Sequence, residues 1–89
     1  MSTTKDWTVA VLLSEDGDLT RAEAVLHTGV REELRGHGSA RRNPADPLVP
    51  EIGDELATAR ALSDLAHKLL DVAARDIEDV EHRQRRHSG

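Results

Sequence analysis

Apolar and polar positions alternate with a period of two through the first half of the chain, then recur with a period near 3.6. Trp7 to Ser14 is dense in β-branched and large apolar residues. It runs into Glu15-Asp16-Gly17-Asp18, whose Asp-Gly pair suits the positive φ angles of a type I′ hairpin turn. From Leu19 to Thr28, Thr20, Ala22, Ala24 and Leu26 alternate with Arg21, Glu23, Val25 and His27. A third stretch sets Leu34, Gly36, Gly38 and Ala40 against Arg35, His37, Ser39 and Arg41. The pattern predicts three antiparallel strands, at about 6–14, 19–28 and 33–42. The apolar side of the third strand is also its small side. Glycine inside a strand costs stability, so two glycines at i and i+2 imply a close approach by another element, with a helix the obvious candidate.

Three prolines, Pro44, Pro47 and Pro50, then end the sheet and mark a connection over 43–50. From Glu51 to about residue 82 the spacing predicts one long helix, with Ile52, Leu56, Ala59, Leu62, Ala66, Leu69, Leu70, Ala73, Ile77 and Val80 in a single stripe meeting the sheet. Arg60, Asp64, Lys68, Asp71, Arg75 and Asp79 occupy the opposite face as oppositely charged i, i+4 pairs. Glu51, Asp54 and Glu55 suit the positive end of the helix dipole, and a basic tail at 83–89 suits the negative end. The architecture is therefore α+β, in the order β-β-β-α. A helix of this length spans roughly 48 Å and a nine-residue strand only about 30 Å, so one sheet cannot cover it. Leu65 and Val72 widen the stripe, and the first strand is apolar on both sides, with Val9, Val11 and Leu13 opposite Ala10 and Leu12. This surplus predicts a homodimer, with Leu65 and Val72 as candidate contacts. The alternative is a helix that breaks near Ala73 or Ala74 and folds back.

Composition narrows the chemistry. Eighty-nine residues make one domain near the lower size limit for stability without a partner. With no cysteine there are no disulfides, thiolate metal sites or cysteine nucleophiles, and a cytoplasmic setting is expected. The longest wholly apolar run, Val9 to Leu13, is too short to cross a membrane. The net charge of −5 divides as −3 over 1–30, +2 over 31–42, −6 over 43–80 and +2 over 81–89. His27, His37, His67, His82 and His87 form no ligand pattern, so neither a metal nor another cofactor is expected. No serine sits in a nucleophile elbow, and Gly36-His37-Gly38-Ser39 leads into proline-punctuated chain rather than the helix a phosphate loop needs. Arg35, His37, Arg41 and Arg42 are the one polar cluster worth testing for binding.

The segments Ile52-Gly53-Asp54-Glu55-Leu56 and Arg60-Ala61-Leu62-Ser63-Asp64-Leu65-Ala66, with Gly36-x-Gly38-x-Ala40-Arg41 and Pro44-x-Asp46, resemble a family of short, uncharacterised actinobacterial proteins. Its α+β fold is grouped with double-stranded-RNA-binding domains, and the resemblance runs from strand one to about Ile77. It implies three antiparallel strands, a long helix and plausible dimers, but no activity and hence no site residues. An RNA-binding domain of this type meets phosphates with a lysine cluster at the helix N-terminus. Here that position holds Glu51, Asp54 and Glu55, and Trp7 alone, read as a core residue, could stack on a base. The expected function is that of a non-enzymatic homodimeric binding or regulatory module. The alternative is nucleic-acid binding through Arg35, Arg41, Arg42 and the arginines at 83, 85 and 86.

Overall fold

Strand β1 (Thr8–Asp16) pairs antiparallel with β2 (Leu19–His27), which pairs antiparallel with β3 (Leu34–Arg41). These elements, with helix α1 (Pro50–Ser88), come from a computed structural model that describes residues 2–88 and side chains as far as Arg86. Sheet order follows chain order, so β2 is central and β1 and β3 are edges. The β1–β2 loop is Gly17-Asp18. Gly17 has φ +62 and, among the described residues, none other than glycine has positive φ, so the turn carries the signature of type II′ rather than the expected type I′. At the far end of the hairpin pair, the Arg42 amide donates to the Asp18 carbonyl at 2.8 Å, which ties the exit of β3 to that turn.

Helix α1 starts one residue earlier and ends six residues later than the spacing predicts. Pro50 is accepted in the first turn because its missing N–H has no helical partner there. The basic tail is helical through Ser88, with only Gly89 outside the described residues. Arg83, Gln84, Arg85 and Arg86 are good helix formers, and their cations offset the dipole at that end. The helix is continuous, with no break near Ala73 or Ala74.

The face that α1 turns to the sheet differs from the expected one. Ala57, Ala61 and Leu65 are buried against Ala22, Ala24, Leu26 and Ala40, with Leu34 packed at the margin. The physical reason lies in β3. Without side chains at Gly36 and Gly38 the helix settles onto the strand backbone, and a Cβ at either glycine would overlap the main chain of residues 57–65. Ala57 and Ala61 lie at the closest points, with the backbone of Leu65 against Gly36. The long stripe from Ile52 to Val80 is too bulky for that contact and points away, with all ten of its members exposed. Val25, on the opposite face, is nevertheless buried at 4% exposure, lying in register between Ala10 and Arg35. Trp7, expected in the core, is 55% exposed, because α1 is seated on β2 and β3 rather than over the start of β1.

This core is thin, since five of its seven residues are alanines. The chain measures 65 × 31 × 19 Å with a radius of gyration of 18.5 Å, where a compact chain of this length would have about 12 Å. Its accessible surface is 7220 Å², against roughly 5,200 Å² for a folded monomer of 9.8 kDa.

Candidate functional site

The exposed large apolar residues gather on two walls. One is β1, whose nine residues are all exposed. Val9, Val11 and Leu13 pair with Leu26, Ala24 and Ala22, so they share the helix-bearing face of the sheet, yet α1 lies over β3 and β2 and leaves them open. The other wall is α1. At about 100° per residue, Ile52, Ala59, Ala66, Ala73 and Val80 form one row with a spacing of seven. Leu62 and Leu69 flank that row on one side, and Leu56, Leu70 and Ile77 on the other. Arg60 donates to the Ser39 carbonyl at 2.7 Å, and Lys68 donates to the Arg35 carbonyl at 2.9 Å. Asp64 accepts the His37 amide at 2.8 Å. These three contacts place that side of the helix over β3. Leu62 and Leu69 lie around the helix on the other flank, away from β3, and are exposed.

The expected dimer contacts do not belong to this surface as assigned. Leu65 is 5% exposed and packs beneath the helix against Gly36, and Val72 is half-buried on the same side. Both face the sheet because α1 is rotated by the glycine contact. Arg60, Asp64 and Lys68, expected on the solvent face, instead clamp the exposed edge of β3. Of the expected i, i+4 pairs, Asp64–Lys68 is closed at 3.1 Å.

The basic cluster does not converge either. Arg35 is held by Glu23 at 2.6 Å and Glu33 at 2.7 Å, and His37 lies 3.6 Å from the Glu23 carboxylate. Arg41 is roughly 20 Å further along the strand. Arg42 turns back to Asp18 at 2.7 Å and to the Asp46 carbonyl. The arginines of the last helical turns lie beyond the other end of the sheet, on the order of 45 Å from Arg42. Acidic partners and distance therefore break the positive surface that phosphate binding requires.

A cleft of about 390 Å³ opens where the N-terminus of α1 meets the β1–β2 turn. Leu48, Val49, Ile52 and Leu56 form its apolar wall, and Glu15, Asp18, Arg41 and Arg42 its polar rim. Close by, Glu15 has its carboxyl pushed above its ordinary value, chiefly by a hydrogen bond shared with Asp54 and then by repulsion from the charges of Asp54 and Glu51. One oxygen of Asp54 is shut away from solvent with no hydrogen-bond partner, as is Nε of Arg42. Among the described residues no three His, Cys, Asp or Glu side chains converge as metal ligands.

Two carboxylates predict opposite pH effects. The His37 amide and then the Lys68 ammonium hold Asp64 below its ordinary value. Its contribution to stability is present above the unfolded-state pKa and is lost as pH falls through the folded one. The raised Glu15 has the opposite sign, because the folded state gains stability as the pH falls through its elevated pKa. In thermal melts across pH 3 to 7, Asp64→Asn should lower Tm near neutrality and converge with the parent at the acid end. Glu15→Gln should raise Tm near neutrality, and its advantage should shrink on acidification. Parallel curves for either variant would show that its carboxyl is not linked to folding.

Comparison with known proteins places these features in a wider set. Residues 5–86 match the profile of proteins described as Rv2632c-like. The chain is 54% identical over 80 residues to the uncharacterized protein Mb1767 of Mycobacterium bovis, covering 90% of this chain and 84% of that one. It is 49% identical over 74 residues to the uncharacterized protein Rv2632c of Mycobacterium tuberculosis, covering 83% and 78%. The crystal structure of Rv2632c superposes with a TM-score of 0.83 at 44% identity, covering 91% of this chain and 95% of the other. Among the described residues no helix is long and apolar enough to cross a membrane.

Proposed function

The chain belongs to the Rv2632c-like family, and for this member we propose a non-enzymatic, self-associating binding module whose working surface is the apolar face of α1 and β1. The observation that carries this reading is the mismatch between a thin alanine core and a wide exposed apolar face. The excess of roughly 2,000 Å² over a compact monomer is ample for a stable dimer, where each partner typically contributes about 800 Å². The exposed helix face alone, about 42 Å long and 10 Å wide, supplies some 400 Å², and Val9, Val11 and Leu13 extend it. Such a continuous apolar surface is what a second copy buries. A chain without cysteines suits a reducing cytoplasm.

Nucleic-acid binding is the weaker reading, because Glu23 and Glu33 neutralise Arg35 and carboxylates crowd the helix N-terminus. Multi-angle light scattering at micromolar concentration should give about twice 9.8 kDa. A folded species at the single-chain mass down to the lowest salt would reject self-association. Retention of duplex RNA that falls steeply with salt would favour the alternative.

A further inference from the structure

We infer that the second copy lies antiparallel, with a two-fold axis passing beside Ala66, so that two helices fill the space between two sheets and the last turns of each helix close the cleft of the other copy. This rests on the self-association reading and specifies its geometry. The first argument is the sequence of the exposed row. Ile52, Ala59, Ala66, Ala73 and Val80 read alike in both directions in size, with small residues at the three central positions and larger ones at the ends. In an antiparallel pair centred on Ala66, Ala59 faces the second copy's Ala73, Ile52 faces its Val80, and Leu62 faces its Leu70. Every member of the row then meets an apolar partner, and the three alanines let the backbones approach closely. A parallel pair would also match the row, but it would set the like-charged ends of the two helices side by side.

The second argument is the shape of the monomer. Leu62 and Leu69 lie on the flank of α1 away from β3, and the helix-bearing face of β1 is left exposed on that side. The exposed apolar surface of α1 is wider than the seam of a simple coiled coil, and it therefore fits two neighbours, a helix at its side and the second copy's β1 above it. The residues that anchor α1 to its own sheet run from Gly53 to Asp76, the last held by Arg31. Ala66 lies near the centre of that range, so a two-fold beside it stacks the sheets opposite each other.

Charge supplies the third argument. The antiparallel register carries Arg83 and Arg86 of one copy past the start of the other helix, where Glu15 and Asp46 line the cleft, Glu51 and Asp54 stand beside Glu15, and Arg42 on the same rim is already paired with Asp18, leaving Arg41 as the rim's other cation. Ile52 and Leu56 belong both to the cleft and to the exposed face of α1, so the cleft opens in the direction from which those turns arrive. The projection of α1 beyond its own sheet acquires a role, because residues past Asp76 cover the partner's cleft. Opposed helix dipoles favour the same direction.

The chain has no cysteine, so single cysteines can report the register without background. Under mild oxidation, Ala66→Cys should convert most of the protein into a covalent dimer on a non-reducing gel. Ala59→Cys and Ala73→Cys should each stay largely uncrosslinked alone, because their self-pairs are about 21 Å apart along the axis. Mixing the two should give an Ala59→Cys/Ala73→Cys heterodimer. Self-crosslinking at all three positions would establish a parallel pair and overturn the inference. A dimer by light scattering that crosslinks at none of them would place the contact elsewhere, while leaving self-association intact. A monomer by light scattering would overturn both.

Discussion

Gly38→Ala is expected to cost about 3 kcal/mol of folding free energy, at the upper end for overpacking, and Gly38→Val to leave the chain unfolded near 37 °C. At most surface strand positions alanine in place of glycine would be neutral or better. Here the added Cβ would overlap the amide nitrogen of Ala61 and sit 2.5 Å from the carbonyl oxygen of Ala57. Both atoms are helix main chain, so no rotamer change relieves the clash. Either α1 lifts off β3, or β3 bows outward. Lifting the helix would also strain the Arg60–Ser39, His37–Asp64 and Lys68–Arg35 hydrogen bonds. A core made mostly of alanine has little apolar surface in reserve to absorb the loss. Gly36→Ala meets the same obstacle at Ala61 and Leu65. Urea denaturation of Gly38→Ala measures the effect. A shift below about 1 kcal/mol would mean that helix and sheet are not in backbone contact.

Changing Leu62 and Leu69 together to Glu should abolish the dimer while leaving the fold intact. Both side chains are already exposed in the single chain, at 41% and 36%, so the substitution removes little intramolecular packing. In a two-fold assembly each change occurs twice, and four leucines leave the seam as four carboxylates enter it. Full burial of an exposed leucine is worth about 1.5 to 3 kcal/mol, and with about two-fifths of each of the four side chains left to bury the loss is roughly 2 to 5 kcal/mol before any charge repulsion. This corresponds to roughly thirtyfold to a few thousandfold weaker self-association at about 1.4 kcal/mol per decade, to which repulsion among the four carboxylates adds. Light scattering should fall to the single-chain mass while far-ultraviolet circular dichroism stays helical. An unchanged dimer would move the seam to β1 alone or to the outer face around Leu12. Leu65→Glu makes a useful contrast, because burying a carboxylate beneath α1 should unfold the protein rather than only dissociate it.

Much of this organisation is legible along the chain. The three alternating stretches, the Asp-Gly turn, the proline-rich connection and the long helix all reflect local backbone preferences and periodicity, which act over a few residues. The close approach announced by Gly36 and Gly38 is legible too, because a strand tolerates such a pair only where something else supplies the contact. The rotation of α1 was harder to read. A hydrophobicity argument sends the largest side chains to the sheet, and by that argument Leu56, Leu62 and Leu69 become core while Leu65 becomes surplus. The available signal was size: a strand stripped to glycine selects the row of smallest helix residues, Gly53, Ala57 and Ala61. The same argument sends Arg60, Asp64 and Lys68 to the solvent face, where the structure sets them over the edge of β3.

The candidate site divides along the same line. An apolar surplus follows from counting residues against one sheet face, whichever way the helix turns. Its location does not, because rotating α1 by less than half a turn exchanges the buried and exposed sets without altering the pattern. Likewise, nothing in the spacing of Arg35, His37, Arg41 and Arg42 shows that Glu23 and Glu33 neutralise one end of the row while Asp18 draws Arg42 away at the other. Local propensity and composition are enough to set the elements, their order and the existence of an unsatisfied apolar face. The tertiary structure alone decided which face that is, since steric exclusion at a backbone contact between residues some twenty positions apart outweighs hydrophobicity in setting how the helix sits.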